Sequence, residues 1–293
     1  MYRYFVLQKI VQLGTFSRAA EALGYTQSAV SQAMASLEKE VGFSLLRRSR
    51  TGAVLTQEGK QFYPQAEALL RQYQMTREKA DEICGLRTGV IRMGTFSSIS
   101  SHWLPPLFKE FQASYPDVHF VLHQGDYSLI PEWLREGSID FGFSAPQAIK
   151  GMGLDSLPVK DGPMYAILPE RHPLATYEVV PLHLLAREPF ILVEEGHYFE
   201  PLEVFRAQGL HPEVKYTIHD DFSVMNMVES GLGVSIEPGL VLRHTHYRIA
   251  IRPTNPPIKR TIIIAFKDWD SLPLASRKFI RLLQERVDEL PDD

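Results

Sequence analysis

Three glycines, Gly14, Gly24 and Gly42, cut the first part of the chain into three segments whose apolar residues recur at helical spacing. Glycine closes a helix cheaply because it adopts the left-handed conformation of the cap, so each segment is expected to be a short, separate helix. The first runs through Phe5, Val6, Ile10 and Leu13. The second follows Ser17, a good N-cap, through Ala19, Ala20 and Leu23, and the third starts after a second cap, Thr26. The inner face of the third is Val30, Met34, Leu37 and Val41, at gaps of four, three and four, which leaves Gln27, Ser28, Ser31, Gln32 and Ala35 outside. A plain surface helix carries Lys and Glu there, so a small, amide-rich outer face is unusual.

After Gly42 the period changes. Two β-like stretches, Leu45 to Arg48 and Ala53 to Thr56, are joined by Ser49-Arg50-Thr51-Gly52 and predict a small basic hairpin. From Gln57 to about Leu86 the helical period returns, with Phe62, Ala66, Leu69, Tyr73, Thr76, Ala80 and Ile83 forming a heptad seam. Such a helix spans roughly 45 Å, and Pro64 is expected to bend its first turns. Its opposite face, with Gln72, Arg77, Lys79 and Glu82, is polar, leaving one apolar stripe in need of a partner.

Thr88-Gly89 marks a boundary, beyond which strands and helices alternate. Strands are expected at Val90 to Gly94, Val118 to His123, Ile139 to Ser144, Met164 to Leu168, Phe190 to Val193, Val214 to Ile218, Val234 to Glu237 and Thr261 to Phe266. Helical patterns fall between them and at the end, Pro273 to Glu289. The alternation predicts α/β structure with mostly parallel sheets, and the Pro, Gly and Asp cluster at Pro158 to Pro163 suggests a crossing to a second lobe. The late strand and terminal helix could return to the first.

At 293 residues, 44 % hydrophobic and 23 % charged, the composition is that of a folded protein of about two domains and excludes disorder as the main state. A single cysteine, Cys84, allows neither an internal disulfide nor a thiolate metal cage, and fits a reducing compartment. Met1 to Leu13 is interrupted by Arg3, Gln8 and Lys9 without a cleavage pattern, and no apolar run is long enough to span a bilayer, so a cytoplasmic location and no membrane partner are expected. Net charge is −4, but residues 1–88 hold 12 basic against 8 acidic residues and the rest 19 against 27, a basic head on an acidic body.

Two short helices joined at Gly24-Tyr25 have the dimensions of a helix-turn-helix, in which outward residues at the start of the second helix reach base edges in the major groove. Gln27 and Gln32 can pair bidentately with adenine, while Ser28 and Ser31 serve bases or phosphates. Ser17, Arg18 and Thr26 belong with them as DNA-binding candidates. Arg47, Arg48, Arg50 and Thr51 of the hairpin would reach phosphates or the minor groove. Without further resemblance, a three-helix packing module is the competing reading.

The run from Gly14-Thr15-Phe16-Ser17-Arg18-Ala19-Ala20 to Leu23, then Thr26 to Gln32, Leu37-Glu38, Gly42 and Leu55-Thr56-Gln57-Glu58-Gly59, resembles the N-terminal signature of LysR-type transcriptional regulators. Further on, Gly89 to Gly94, Leu104-Pro105, Tyr115-Pro116, Gly137 with Ile139-Asp140, His172-Pro173-Leu174-Ala175, and Gly231-Leu232-Gly233-Val234 with Pro238 resemble that family's effector domain. The resemblance implies an α+β protein overall. The implied parts are a winged helix-turn-helix (1–58), a dimerising linker helix (59–88), and a two-lobed α/β effector domain (89–293) resembling type 2 periplasmic binding proteins. Lobe I is expected at about 89–160 and 266–293 and lobe II at about 161–265. It also implies a double-stranded operator with dyad symmetry, a homodimer through the linker helix, and a homotetramer. Ser28 departs from the family's usual Pro and Leu46 from its usual Phe, which bears on the operator more than on the function.

An effector site is argued from the fold: ligands of α/β sheets bind beyond the C-terminal ends of strands. Thr95, Ser97, Ser98 and Ser100 follow the first strand. Gln124, Gly125, Ser144, Glu195, His197 and Asp220 stand at other strand ends, with Asp126, Glu194 and Asp221 beside them. Hydroxyls suit a carboxylate or zwitterion, whereas the acidic side chains leave a cationic effector open. No cofactor or metal is expected: His244-x-His246 lacks acidic or thiolate partners at metal spacing, and Gly231-x-Gly233 is not a dinucleotide site. No nucleophile, P-loop or zinc-protease motif occurs, so no enzymatic turnover is expected, and a solute-binding protein with an accessory head is the other rival.

Overall fold

The computed structural model describes residues 1–49, 52–83 and 89–292 and divides into two units, Met1–Cys84 and Gly85–Asp293. The first begins with α1 (Tyr2–Leu13), α2 (Phe16–Leu23) and α3 (Gln27–Val41), each closed by a glycine in the left-handed region, Gly14, Gly24 and Gly42. Thr26 caps α3 as expected, its side chain accepting from the Ala29 N–H. The cap of α2 is Thr15, accepting from Arg18 N, and not Ser17, which lies inside the helix. The turn closed at Gly14 leaves Thr15 as the extended residue from which the new helix starts, so chain geometry selects between two equally suitable hydroxyls.

Val30, Met34 and Leu37 are buried against Val6, Leu7, Ile10, Ala19 and Ala20, the core the spacing predicts. A two-stranded hairpin follows, β1 (Leu46–Ser49) antiparallel to β2 (Gly52–Leu55), then α4 (Gln57–Ile83) with Pro64 inside it. The hairpin is tied down at both ends. The Glu38 carboxylate accepts the Leu45 and Leu46 N–H groups at 2.7 and 3.1 Å, and Gly59 packs so close to the Leu45 carbonyl that a Cβ would sit 2.2 Å from it. The apolar seam of α4 divides: Phe62 and Ala66 pack on the core of the head, while Leu69 and Tyr73 stay exposed.

The second unit comprises β3 (Gly89–Thr95), α5 (Ser97–His102), α6 (Leu104–Ser114), β4 (Val118–Gln124), α7 (Leu129–Glu136), β5 (Phe141–Ser144) and β6 (Asp155–Pro169). These are followed by β7 (Val180–Pro181), α8 (Leu182–Leu185), β8 (Pro189–Val193), α9 (Glu200–Ala207), β9 (Glu213–Ile218) and α10 (Asp221–Glu229). It ends with β10 (Ser235–Pro238), α11 (Gly239–Leu242), β11 (Ile249–Phe266) and α12 (Leu274–Arg286). The large sheet has the order β10-β6-β11-β5-β3-β4.

Two cores lie along this unit. One gathers Ile91, Met93, Phe111, Phe141 and Phe143 with Ile262 to Phe266 and Phe279; the other gathers Ala166 to Leu168, Phe190, Phe205, Val224 and Ile258. Between them run β6 and β11, antiparallel from Ile249↔Pro169 to Phe266↔Asp155. The sheet is therefore not mostly parallel: β4, β3 and β5 are mutually parallel, but β5-β11, β11-β6 and β6-β10 are antiparallel. The Pro158 to Pro163 cluster does lie where the chain passes between the cores, and it does so as continuous strand. Pro158 falls at a register shift, where a missing N–H costs least.

Phe279 of α12 sits among Phe108, Phe111, Phe120 and Phe141 at ring distances of 5.3 to 6.3 Å and is fully buried. Phe279→Ala should destabilise the second unit by about 3–5 kcal/mol, read from the urea midpoint of its unfolding transition.

Candidate functional site

On the head, the start of α3 presents Gln27, Ser28 and Gln32 exposed and Ser31 half-buried. Gln27 Nε2 donates to Ser31 Oγ at 2.9 Å and the Thr26 and Ser28 hydroxyls lie 3.0 Å apart, so one helix turn carries a continuous row of small donors and acceptors. Ser17 and Arg18 lie on the first turn of α2, Arg18 exposed. Arg47 is exposed on β1, and Arg48 follows it with its backbone paired to Ala53. Arg50 and Thr51 lie outside the described residues, as does Cys84.

In the second unit the organising group is a residue that strand-end reasoning missed. Arg260 of β11 is 1 % exposed, and it stands where the ladder passes from one core, at Ile258, to the other, at Ile262. The alternation Ile258, Arg260, Ile262 puts all three on one face, a signal legible in principle. Its Nε donates to the Tyr127 hydroxyl at 3.1 Å, Nη1 donates to Ser98 Oγ at 3.4 Å, and the guanidinium lies over the Phe96 ring at 4.7 Å. Tyr127 in turn donates to Glu200 Oε1 at 2.9 Å. Burial pushes the Tyr127 phenol well above its ordinary range, so it stays a neutral relay between guanidinium and carboxylate.

Carboxyl groups gather around the same guanidinium. Ser97 Oγ donates to Asp221 Oδ2 at 2.8 Å, joining the start of α5 to the start of α10. Burial raises the Asp221 pKa, with Ser97 and Arg260 opposing. Glu237 of β10 is 1 % exposed; burial raises its pKa far above the usual carboxylate range, and the charges of Asp221 and Glu195 add to this while Ser235 and Arg260 pull it down. Ser235 Oγ reaches Glu237 Oε1 at 3.3 Å, and among the described residues Oε2 accepts no hydrogen bond.

The remaining strand-end candidates distribute unevenly. Ser97 reaches Asp221, and Ser98 accepts from Arg260. Ser100 donates to the Phe96 carbonyl at 2.9 Å and Thr95 to the same oxygen at 3.2 Å, so these two are satisfied within their own turn. Ser144 is fully buried and its hydroxyl has no partner among the described residues. Gln124 is exposed, and Gly125 lies under the Trp133 ring, where a Cβ would come within 2.6 Å. Asp220 caps α10, accepting from Ser223 N and Oγ at 2.8 and 2.6 Å, whereas Asp126 Oδ1 accepts from the Ser128 and Leu129 N–H groups at 2.7 and 2.8 Å in the turn before α7. The His197 ring nitrogen Nδ1 and the Ser128 hydroxyl lie 2.8 Å apart, and the Glu195 carbonyl accepts from Tyr127 N. Exposed Glu194 pairs with His219 at 3.2 Å. The pocket between α6 and α12, about 320 Å³ and lined by Glu110, Tyr115, Lys278 and Arg281 among others, is open to solvent and lies apart from this network. Among the described residues no group of three or more His, Cys, Asp or Glu could hold a metal ion, and no helix is long and apolar enough to cross a membrane.

Two family models match the chain: the bacterial regulatory helix-turn-helix protein of the lysR family over residues 3–60, and the LysR substrate binding domain over residues 85–288. The chain belongs to the LysR family of transcription regulators, with an N-terminal helix-turn-helix and an effector-binding domain of that family. It is 30 % identical over 96 % of both chains to YvbU of Bacillus subtilis (strain 168), described as an uncharacterized HTH-type transcriptional regulator. It is 29 % identical over 85 % of both chains to the transcriptional dual regulator GltC of the same organism. A full-length OxyR variant of Pseudomonas aeruginosa shares its fold with a TM-score of 0.73 and 26 % identity, over 99 % of this chain and 97 % of that one. CbnR in complex with its target DNA is similar with a TM-score of 0.67 and 21 % identity, over 97 % and 98 %. The relatives matched are regulators and not enzymes, and the two-part fold expected from the sequence is theirs.

Glu237 supplies a pH test. A carboxyl whose folded pKa is raised above its ordinary 4.5 keeps a proton that the unfolded chain has lost, so stability falls as pH rises through the window above 4.5. Asp140 and Asp221 carry the same sign. Glu237→Gln should flatten that decline without abolishing it and should raise the melting temperature at neutral pH. An unchanged slope in scanning calorimetry would remove Glu237 from the buried charge cluster.

Proposed function

We propose that residues 1–58 bind an operator of dyad symmetry, that residues 59–88 pair two copies along the exposed apolar stripe of α4, and that residues 89–293 bind a small molecule between two lobes. The observation that carries the DNA reading is the exposed row Gln27, Ser28 and Gln32 on the first turns of α3, with Arg47 exposed on the wing. Amides of this kind read adenine edges, and arginines add sequence-independent affinity. The structure of CbnR with its target DNA supports the assignment of this role to the head.

In this reading Ser17, Arg18, Thr26 and Ser31 contact the backbone or bases beside the two amides, and Arg48, Arg50 and Thr51 extend the wing along the phosphates. Effector binding shifts the population between lobe arrangements, which alters the spacing of heads in the oligomer and the bend of the DNA. The assembly is a tetramer of two such dimers, acting in the cytoplasm. Ser97, Ser98 and Ser144 face the effector, with Thr95, Ser100, Gln124, Gly125, Glu195, His197 and Asp220 forming the surrounding wall.

The test is selection of binding sites from random duplex DNA by the full-length protein at fixed salt. Enrichment of a two-fold-symmetric site with half-sites a whole number of helical turns apart is expected, and its absence would make the head a packing module. On the selected site, Gln27→Ala should cost about 1–3 kcal/mol and relax base preference at one position per half-site. Arg47→Ala should weaken all sequences alike and lower the salt slope by about 1 per head.

A further inference from the structure

The site holds more carboxyl groups than cations, and most of them are withdrawn from water. Asp221, Glu195 and Arg260 act electrostatically on Glu237, and Glu200 joins them through Tyr127, so four carboxyl groups surround one guanidinium. That guanidinium is already engaged by Tyr127, Ser98 and the face of Phe96. A ligand carboxylate would therefore meet further carboxyl groups around a guanidinium that already has partners. Glu237 adds an independent observation: it is 1 % exposed, it lies within this cluster, and its Oε2 accepts no hydrogen bond from the described residues. A buried carboxyl oxygen left unmatched is destabilising, and a donor supplied from outside recovers the lost hydrogen bond.

We propose that the effector bears a protonated amine or amidinium that seats on Glu237 and Asp221 at the interlobe cleft. The proposal rests on the reading of that cleft as the effector site. A metal cation is the poorer occupant, because no described group of three or more ligating side chains has the geometry for one. An organic cation needs only two carboxylates with aromatic rings nearby, and Phe96, Tyr127 and Tyr198, stacked edge-on at 5.1 and 5.6 Å, provide them. The groups facing Glu237 are Asp221 of α10, Glu195 after β8, Ser235 of its own strand and Arg260 of β11. Without a cation the crowded carboxyls hold protons; a cationic ligand replaces them, so binding releases protons and tightens as pH rises. A ligand carboxylate would instead need Glu237 protonated as its donor and would weaken as pH rises.

The experiment uses the full chain and four chain-length-matched probes at millimolar concentration: butylamine, diaminobutane, aminobutanoate and butanedioate. Thermal shift and titration calorimetry are run from about pH 6 to about pH 8. The amine-bearing probes are expected to raise the melting temperature, to bind more tightly at the higher pH with proton release, and to lose about ten- to a hundred-fold in affinity in Glu237→Gln and, independently, in Asp221→Asn. Binding of butanedioate alone, lost in Ser98→Ala, would overturn the cationic class while leaving the cleft as the effector site. Amine binding unchanged in both carboxylate variants would overturn the cleft reading itself. No binding by any amine probe would also overturn the proposal.

Discussion

A guanidinium cannot be taken out of water alone. The desolvation cost of a buried unpaired ion far exceeds the stability of a domain, so Arg260 at 1 % exposure dictates what surrounds it. Its donors go to Ser98 and Tyr127, beside the core built on β3, β4 and β5, while the carboxyl groups gathered around it, Glu200, Glu237 and Asp221, come from the elements of the other core. The two halves of the second unit are thus joined by a polar network as well as by the β6-β11 ladder. Such a network holds a single arrangement only while its charges balance, which makes it responsive to any group that alters the balance.

The head was legible because its rules are local. Glycines at helix ends, a hydroxyl before α3 and apolar residues at helical spacing each act within a few residues, and all three helices follow them. The shift of the α2 cap from Ser17 to Thr15 arises because the turn at Gly14 decides which of two nearby hydroxyls is extended. The cleft was only partly legible. Ser97 and Ser98 could be found from the end of β3, but Tyr127, Glu200 and Arg260 come from far apart in sequence and meet only through sheet order. Asp220 and Asp221 are adjacent, yet one is spent on a helix cap and the other faces the cleft; helix phase separates them, and composition cannot.

Sheet direction failed for a related reason. Alternating strands and helices favour parallel pairing, but a chain that passes to a second core and returns must retrace its path, and the return strand β11 lies antiparallel to β6 on both sides of a break between Pro253 and Ile258. The prolines that obscured β6 are tolerated because one falls at a register shift. Composition also bears on what holds the second unit. A disulfide closed within one chain needs two cysteines, and this sequence has only Cys84, so no intrachain disulfide fixes the arrangement of the second unit.

That leaves the question of how occupancy could be felt at a distance. A ligand moves an equilibrium only by binding one arrangement better than the other, so the contact to consider is one that both a ligand and the protein use. Ser97 to Asp221 is such a contact: it spans the cleft at 2.8 Å, and Asp221 is also part of the charge cluster around Glu237. On the proposed reading, a cation on Asp221 competes with or reinforces the Ser97 hydrogen bond according to its geometry, and each alternative favours a different approach of α5 to α10. Charge neutralisation would then bias lobe closure through one shared carboxylate, with no need for a wire of residues running through either core.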